Sequence, residues 1–236
     1  MRNYYKFIVG IILIFLLNAC ATYKTQLKNS GVNTQFPDKE IAHSFYLIGD
    51  AGNSVIGTSS IALQSFKKEL SLAKENSTAV FLGDNIYEKG LPKKGHENRA
   101  FAEHQLNVQT DVVKNFKGKT IFIPGNHDWY SGLSGLKRQE KYIEDILGEN
   151  TFVPENGCPV EKVHISTDIE LIVIDSEWYL TNWDKHPSIN DDCEIKTRTK
   201  FFDEIEGLIK KARGKTTLIA IHHPMFTNGS HGGQYS

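Results

Sequence analysis

The sequence predicts an α/β fold in which short buried strands alternate with helices. Four apolar runs of strand length each end in polar residues, and amphipathic segments of helix length lie between them. Strands of a mainly parallel sheet have this character, because helices cover both faces of such a sheet. The predicted strands are residues 44–50, 78–84, 119–126 and 216–223.

Four helices and one hairpin complete the predicted domain. Apolar residues recur at helical spacing in four segments, which are residues 59–75, 97–116, 133–147 and 197–213. Residues 161–166 and 169–178 are two further apolar runs that meet at Thr167-Asp168, which indicates a hairpin. The hairpin predicts an antiparallel portion of the sheet or a second sheet.

The amino terminus is typical of an exported protein. Arg2 and Lys6 precede an uninterrupted apolar run at residues 7–17, which suits the core of a signal peptide and is shorter than the ~20 residues of a membrane span. The run ends in Leu-Asn-Ala-Cys, which resembles a bacterial lipobox with Cys20 as the lipidated residue. An ordinary signal peptide with a nearby cysteine, or an uncleaved anchor, remains the alternative.

The chain is expected to have three parts. Residues 1–19 are the predicted lipoprotein signal peptide, residues 20–42 a polar tether, and residues 43–236 the folded domain. This organisation predicts an exported lipoprotein anchored on the periplasmic or cell-surface side of a membrane. In that oxidising compartment Cys158 and Cys193 are expected to form a disulfide. Two reactive thiols are the weaker alternative, because neither cysteine has a neighbouring base in the sequence.

Charge narrows the range of partners. The formal net charge is −1, with acidic and basic residues interspersed along the chain. A protein that binds nucleic-acid duplexes usually carries a concentrated basic surface. We therefore expect no duplex partner, and the sequence makes no prediction of oligomeric state.

Side chains that can bind metals follow all four predicted strands. They are Asp50 in Gly-Asp-Ala-Gly, Asp84 and Tyr87 in Gly-Asp-Asn-Ile-Tyr, Asn126 and His127 in Gly-Asn-His-Asp, and His222 in His-His-Pro. Ligands of open α/β sheets bind beyond the carboxyl ends of the strands, which makes these residues candidates for one site. Each motif alone is more often a turn, but independent turns have no reason to end in metal donors every time. Oxygen and nitrogen donors without cysteine suit hard cations.

This ordered series resembles the calcineurin-like metallophosphoesterase superfamily, and the Asp84–Tyr87 spacing is similar to its purple acid phosphatase branch. The resemblance spans approximately residues 44–236. It implies two mixed β-sheets sandwiched between helices, which is a four-layer arrangement. It also implies a phosphoesterase in which a dimetal-activated water hydrolyses phosphate monoesters, with phosphodiesters or nucleotides as the nearest alternative substrates.

The resemblance implies a role for each candidate metal ligand. Asp50 would bind the first metal together with Tyr87 as a phenolate, and Asp84 would bridge the two metals. Asn126 and His222 would bind the second metal. A phenolate favours Fe(III) at the first position, and Fe(II), zinc or manganese would occupy the second.

The resemblance also implies contacts with the substrate. His127 would face the phosphate, and Asn85 could contact the substrate. His231 lies where purple acid phosphatases carry a histidine that helps to protonate the leaving group. Two neighbours of His127 have simpler expected roles, because Asp128 would cap the following segment and Trp129 would pack beside the site.

One motif of the resembled family does not occur before Ser236. Family members carry Gly-His-x-His after the strand that precedes His222, and its histidines complete both metal sites. We therefore expect residues 43–236 to be a domain truncated at its C-terminus. The alternative function is a surface lipoprotein that keeps the fold as a binding module, without turnover, because its metal site is incomplete.

Overall fold

The computed structural model describes residues 40–186 and 188–224. The predicted signal peptide, the lipidation site Cys20, most of the tether and His231 lie outside the described residues. Within the described ranges, no helix is both long and apolar enough to cross a membrane.

Six strands and six α-helices make up the described part of the chain. The strands are β1 Ser44–Ile48, β2 Ser77–Phe81, β3 Lys119–Phe122, β4 Val160–Ser166, β5 Ile169–Ile174 and β6 Thr216–Ile221. The helices are α1 Ile61–Ser71, α2 Arg99–Val113, α3 Asn126–Trp129, α4 Leu133–Leu147, α5 Ser176–Leu180 and α6 Arg198–Lys211. The four predicted helices correspond to α1, α2, α4 and α6, and the predicted hairpin corresponds to β4 and β5.

The strands form two three-stranded sheets, in the orders β1-β2-β3 and β4-β5-β6. Both pairs of the first sheet are parallel. In the second sheet β4 pairs with β5 antiparallel and β5 pairs with β6 parallel, so this sheet is mixed. The predicted α/β class with two sheets and flanking helices is confirmed, but among the described residues only the second of the two sheets is mixed.

Alternation along the strands produces the layers. Successive residues of a strand point to opposite faces of its sheet. Ala79 and Phe81 of β2 pack with α1, α2 and α4, whereas Val80 packs against the second sheet. Leu171 and Val173 of β5 meet Val80 in that inner core. The opposite face of β5 packs against α5 and α6. The order of the layers is therefore helices, first sheet, second sheet, helices.

Side-chain caps begin three of the helices. Ser60 accepts a hydrogen bond from the Leu63 N–H at the start of α1, and Thr197 accepts one from the Lys200 N–H at the start of α6. Asp175 caps α5 in the same way. Each cap satisfies a backbone N–H that has no partner within its helix.

A disulfide joins Cys158 to Cys193, whose Cα atoms are 5.5 Å apart. It links the segment before β4 to the segment before α6, across 35 residues of sequence. The cysteines are thus paired as the sequence analysis expects.

Glu140 of α4 is a buried acid outside the candidate site. Its two carboxylate oxygens accept hydrogen bonds of 3.1 and 2.9 Å from the Asn156 N–H. Burial raises the pKa of Glu140 to about 7, and the nearby charges of Glu144 and Glu155 act in the same direction. The folded protein therefore holds this proton at pH values where the unfolded chain has released it.

Glu140→Gln should change how stability depends on pH. An acid with a raised pKa in the folded state stabilises the fold below its usual pKa of about 4.5, and this stabilisation is lost as the pH rises to about 7. We expect the variant to gain roughly 1–3 kcal/mol in free energy of unfolding at pH 8, relative to the parent protein, and little at pH 4.5. Urea denaturation at both pH values measures this difference. The exposed-site variant Glu69→Gln should follow the parent at both values, and a Glu140→Gln variant that also does so would contradict the prediction.

Candidate metal centre

Three of the predicted ligands converge at one end of the sheets. Asp50 follows β1, Asp84 follows β2, and His222 follows β6 directly. Each offers one ligand atom, and these atoms all lie within 4.8 Å of one another. In the described part of the chain this is the one cluster of His, Cys, Asp and Glu side chains with such spacing. Carboxylate oxygens and an imidazole nitrogen are suitable donors for divalent and trivalent transition metals.

The backbone turns sharply where both carboxylates leave the first sheet. Asp50 and Asp84 have φ values of 55° and 53°, in the left-handed region that a non-glycine residue seldom adopts. Strained residues of this kind concentrate at functional sites. They also explain why β1 and β2 end at Ile48 and Phe81, before the predicted boundaries.

Two glycines allow the strand ends to approach one another. A Cβ on Gly83, which has a φ of 93°, would lie 2.7 Å from both Gly125 N and His222 Nδ1. A Cβ on Gly125 would lie 2.3 Å from Asp84 Oδ1. A side chain at either position would therefore push the ligands apart.

The predicted second-metal ligands face one another. His222 Nε2 is 3.2 Å from Asn126 Oδ1 and 3.5 Å from Asp84 Oδ1. The other ring nitrogen, His222 Nδ1, lies 2.7 Å from the Leu82 carbonyl, which fixes the ring and assigns the Nδ1 proton to that bond. Asn126 Nδ2 donates to the Tyr130 hydroxyl at 2.6 Å, which turns the amide oxygen toward His222. All three donor atoms are thus oriented for a shared cation.

The predicted first-metal ligands are also in contact. The Tyr87 hydroxyl donates a 2.7 Å hydrogen bond to Asp50 Oδ1. Burial raises the pKa of Tyr87 well above its usual value of 10, and the hydrogen bonds and charges of Asp50 and Asp84 raise it further. Without a cation the phenol is therefore neutral, and binding a metal as a phenolate would require a metal charge to offset the two carboxylates.

His127 lies at the edge of this centre. Its ring is between Tyr87 and Tyr130, with centroid distances of 4.3 and 4.8 Å. His127 Nδ1 lies 2.6 Å from the Glu88 carbonyl, and Nε2 lies 3.9 Å from Asp84 Oδ2. The backbone N–H of His127 donates to Asp84 Oδ1 at 3.0 Å. The Nε2 atom therefore faces Asp84 at the edge of the centre.

Asn85 lies inside the scaffold. Its side chain is 1% exposed and donates through Nδ2 to the Ile123 carbonyl at 2.9 Å and to Asp128 Oδ2 at 3.1 Å. These bonds direct the amide into the protein, where it joins the ends of β2 and β3. The predicted contact between Asn85 and the substrate is not supported by this placement.

Asp128 organises the two turns that carry the ligands. It is fully buried, and its carboxylate accepts hydrogen bonds from the backbone N–H groups of Gly125, Asn85 and Ile86. The Gln139 side-chain amide donates a further bond of 2.9 Å. Burial raises the pKa of Asp128 to about 6, although these hydrogen bonds favour the ionised form. The residue expected to cap the next segment therefore also holds the loop after β2.

Two buried acids after β5 were not identified from the sequence. Asp175 accepts a 2.6 Å hydrogen bond from Trp129 Nε1, and burial raises its pKa to about 7. Burial also raises the pKa of Glu177 to about 7, and the charge of Asp84 contributes, whereas His222 opposes the shift. The sequence signal is Asp-Ser-Glu-Trp at a strand end, the same type of position as the other donors, although the apolar pattern of this segment predicts only a hairpin.

A cavity of about 800 Å³ opens beside the centre. Tyr87 and His127 form the part of its lining nearest the metal ligands, and Asn53, Lys89, His96 and Phe101 line the remainder with other residues. A volume of this size accommodates an organic ligand. The cavity therefore offers room for an organic ligand next to the candidate metal ligands.

The match to a known protein family covers nearly all of the folded domain. The profile of the family described as calcineurin-like phosphoesterase matches residues 43–236. A comparison with curated proteins finds no match. The matched range contains all of the candidate metal ligands described above, from Asp50 to His222.

Proposed function

Because the chain belongs to the calcineurin-like phosphoesterase family, we propose that it hydrolyses phosphate monoesters at a centre of two metals. The observation that carries the proposal is the convergence of Asp50, Asp84 and His222, whose ligand atoms lie within 4.8 Å of one another. Asn126 and Tyr87 extend this group through their contacts with His222 and Asp50. The proposed ligands are therefore contributed by the ends of four strands.

Each side chain has a defined task in the proposed reaction. Asp84 Oδ1, Asn126 Oδ1 and His222 Nε2 would hold one cation, while Asp50 and Tyr87 would hold the other with Asp84 shared between them. When bound, two such metals lower the pKa of a water and stabilise the attacking and leaving oxygens. The hydrogen bond between His222 Nδ1 and the Leu82 carbonyl keeps the ring oriented throughout.

His127 would bind the phosphate directly. Its Nδ1 is engaged by the Glu88 carbonyl, which leaves Nε2 to donate to a phosphoryl oxygen when the ring is protonated. The two flanking tyrosines limit the positions that the ring can adopt. His231 would protonate the leaving group, a role that rests on the sequence resemblance alone.

We also propose that the first metal is Fe(III), with Fe(II), zinc or manganese as the second. The phenol of Tyr87, at 2.7 Å from Asp50, supports this assignment because a phenolate is a hard anionic donor. This assignment corresponds to a metal centre of the purple acid phosphatase type.

Tyr87→Phe should remove the colour of the iron-loaded protein. A tyrosinate bound to Fe(III) gives a visible charge-transfer band, and phenylalanine cannot bind the metal. We expect the band to disappear in Tyr87→Phe and to persist in Tyr142→Phe, whose hydroxyl contacts Asn107 on the helix layer. Visible absorption spectra of the iron-loaded variants measure this. A parent protein that is colourless with iron and active only with zinc or manganese would contradict the iron assignment.

The membrane location is a separate proposal. We infer from the apolar run at residues 7–17 and from Cys20 that the chain is a lipoprotein, tethered outside the cytoplasm by residues 20–42. Metabolic labelling with a fatty acid should therefore label the parent protein. Labelling that persists in Cys20→Ser would contradict the assigned anchor.

Turnover of a chromogenic phosphate ester tests the proposed function. The parent chain is incubated with para-nitrophenyl phosphate and iron, zinc or manganese, beside Asp84→Ala. If the gene continues beyond Ser236, the longer product is assayed in parallel. We expect metal-dependent turnover that Asp84→Ala lacks. Metal binding without turnover above Asp84→Ala in either form would reject hydrolysis and favour the binding module.

A further inference from the structure

The segment after β1 exposes three aliphatic side chains near one another in sequence. Val55, Ile56 and Ile61 are 74%, 63% and 83% exposed. Single exposed aliphatic residues are common on protein surfaces. Three within seven residues, at the start of a helix and in the loop before it, are less usual. We refer to Val55, Ile56 and Ile61 as the apolar tip.

Hydrogen bonds to α2 hold this tip in place. The Ser54 N–H donates to Gln105 Oε1 at 2.6 Å, and Gln105 Nε2 donates back to the Ser54 carbonyl at 2.9 Å. His104 Nε2 lies 3.0 Å from the carbonyls of both Val55 and Thr58. A loop held by these hydrogen bonds loses little conformational entropy when its side chains bind another molecule or surface.

The apolar tip and a second loop both continue from residues that line the cavity next to the metal centre. Asn53, two residues before the tip, lines that cavity, and Lys89, Pro92 and His96 line it from the loop before α2. Lys93 and Lys94, which follow Pro92, are exposed, and neither forms an ion pair with another described residue. We refer to Lys89, Lys93 and Lys94 as the basic loop.

The cavity itself is not basic. Glu88 and Glu97 line it together with Lys89. The two additional cations, Lys93 and Lys94, lie outside the lining. The two loops that continue from the lining thus carry exposed aliphatic side chains on one and ammonium groups without an ion pair among the described residues on the other.

We propose that the apolar tip and the basic loop dock on an anionic lipid bilayer, so that the substrate is a phosphate monoester of an amphiphile held in that bilayer. This inference rests on the proposed function for its second part. Aliphatic side chains partition into the headgroup and acyl boundary, while lysines are attracted to anionic headgroups. The substrate phosphate would pass from the headgroup layer into the cavity mouth and reach Tyr87 and His127.

A bilayer fits this surface better than a protein partner. Stable protein interfaces bury about 800 Å² on each partner. Three side chains at a loop offer less than this area, but a bilayer requires only a few inserted residues. The proposed lipid anchor at Cys20 would keep the domain at the membrane surface. A weak membrane contact is then sufficient.

Quenching by lipids tests the docking. The full chain carrying Ile56→Trp is reconstituted in vesicles of phosphatidylglycerol and phosphatidylethanolamine with brominated acyl chains, which quench tryptophan fluorescence. The quenching of the parent protein, measured in the same vesicles, is subtracted. The matched control is Leu72→Trp, because Leu72 is 75% exposed at the opposite end of α1, about 16 Å along the helix axis from Ile61. We expect quenching at least about threefold stronger for Ile56→Trp. Equal quenching would overturn the proposal and would favour a protein partner for the tip.

Activity on two substrates tests the substrate class. The parent and the double variant Val55→Ser/Ile56→Ser are each assayed for hydrolysis of phosphatidic acid in the same vesicles and of soluble para-nitrophenyl phosphate. We expect the ratio of vesicle to soluble activity to fall about tenfold in the variant, because docking brings only the lipid substrate to the site. An unchanged ratio would overturn the inference. A parent protein without activity on either substrate would refute the proposed function, and the quenching result would then decide the docking alone.

Discussion

Asp84→Asn is expected to lower phosphate-ester hydrolysis by about a thousandfold. Asp84 is the residue that connects the two groups of proposed ligands, since Oδ1 lies 3.5 Å from His222 Nε2 and Oδ2 faces His127. An amide carries no charge, so neither cation would be neutralised by a shared carboxylate. Initial rates with para-nitrophenyl phosphate, measured at saturating metal, give the size of the loss.

The fold should survive this substitution, which separates loss of chemistry from loss of structure. The amide oxygen of asparagine can still accept the hydrogen bond that the His127 N–H donates to Asp84. We therefore expect the metal-free variant to unfold within a few degrees of the metal-free parent. Asp111→Asn is the matched control, because Asp111 is exposed and pairs only with Lys67 at the surface. Asp84→Asn with activity like that of Asp111→Asn would exclude the bridging role.

Asp128→Ala is expected to destabilise the fold by about 3–5 kcal/mol. The substitution removes the acceptor for backbone N–H groups of Gly125, Asn85 and Ile86 and for the amide of Gln139. These donors are buried, so they would lose a hydrogen bond without gaining water. The free energy of unfolding from urea denaturation measures the effect.

The same substitution should weaken metal binding indirectly. Asp128 holds the turn that starts at Gly125 against the turn that contains Asn85, and these turns carry Asn126 and Asp84. Asp145→Ala is the control for stability, because Asp145 is exposed and pairs only with Lys141 in its own helix. Its expected cost is below about 0.5 kcal/mol. A similar cost for both variants would show that Asp128 is not the organising residue.

Much of the fold was predictable from the sequence because buried runs and amphipathic periods are local signals. Helix α4 has the predicted bounds of residues 133–147, since its apolar face repeats regularly. The strand ends were placed too late, by two residues in β1 and four in β3. The polar residues there leave the sheet to form the site, and a left-handed residue such as Asp50 cannot be recognised from its sequence neighbours.

The positions of the site residues were predictable where the order and direction of the strands alone determine them. Asp50 and Asp84 had to lie close together because β1 and β2 are parallel neighbours. The direction of a side chain within a turn cannot be predicted in this way. Asn85 points inward because Asp128 and the Ile123 carbonyl accept hydrogen bonds from its amide. Glu177 was missed because its proximity to the centre depends on how the two sheets pack, and sequence periodicity carries no information on that.

Donors from separate strand ends are expected to surround a shared pair of cations. A crystal structure of the metal-loaded protein, with anomalous differences measured at the absorption edge of the metal, tests this expectation most directly. We expect two peaks about 3.5–4 Å apart, between Asp50, Asp84 and His222, with Asn126 and Tyr87 in the coordination shells. Fully loaded protein whose peaks lie elsewhere, or whose Asp84 contacts no metal, would contradict it.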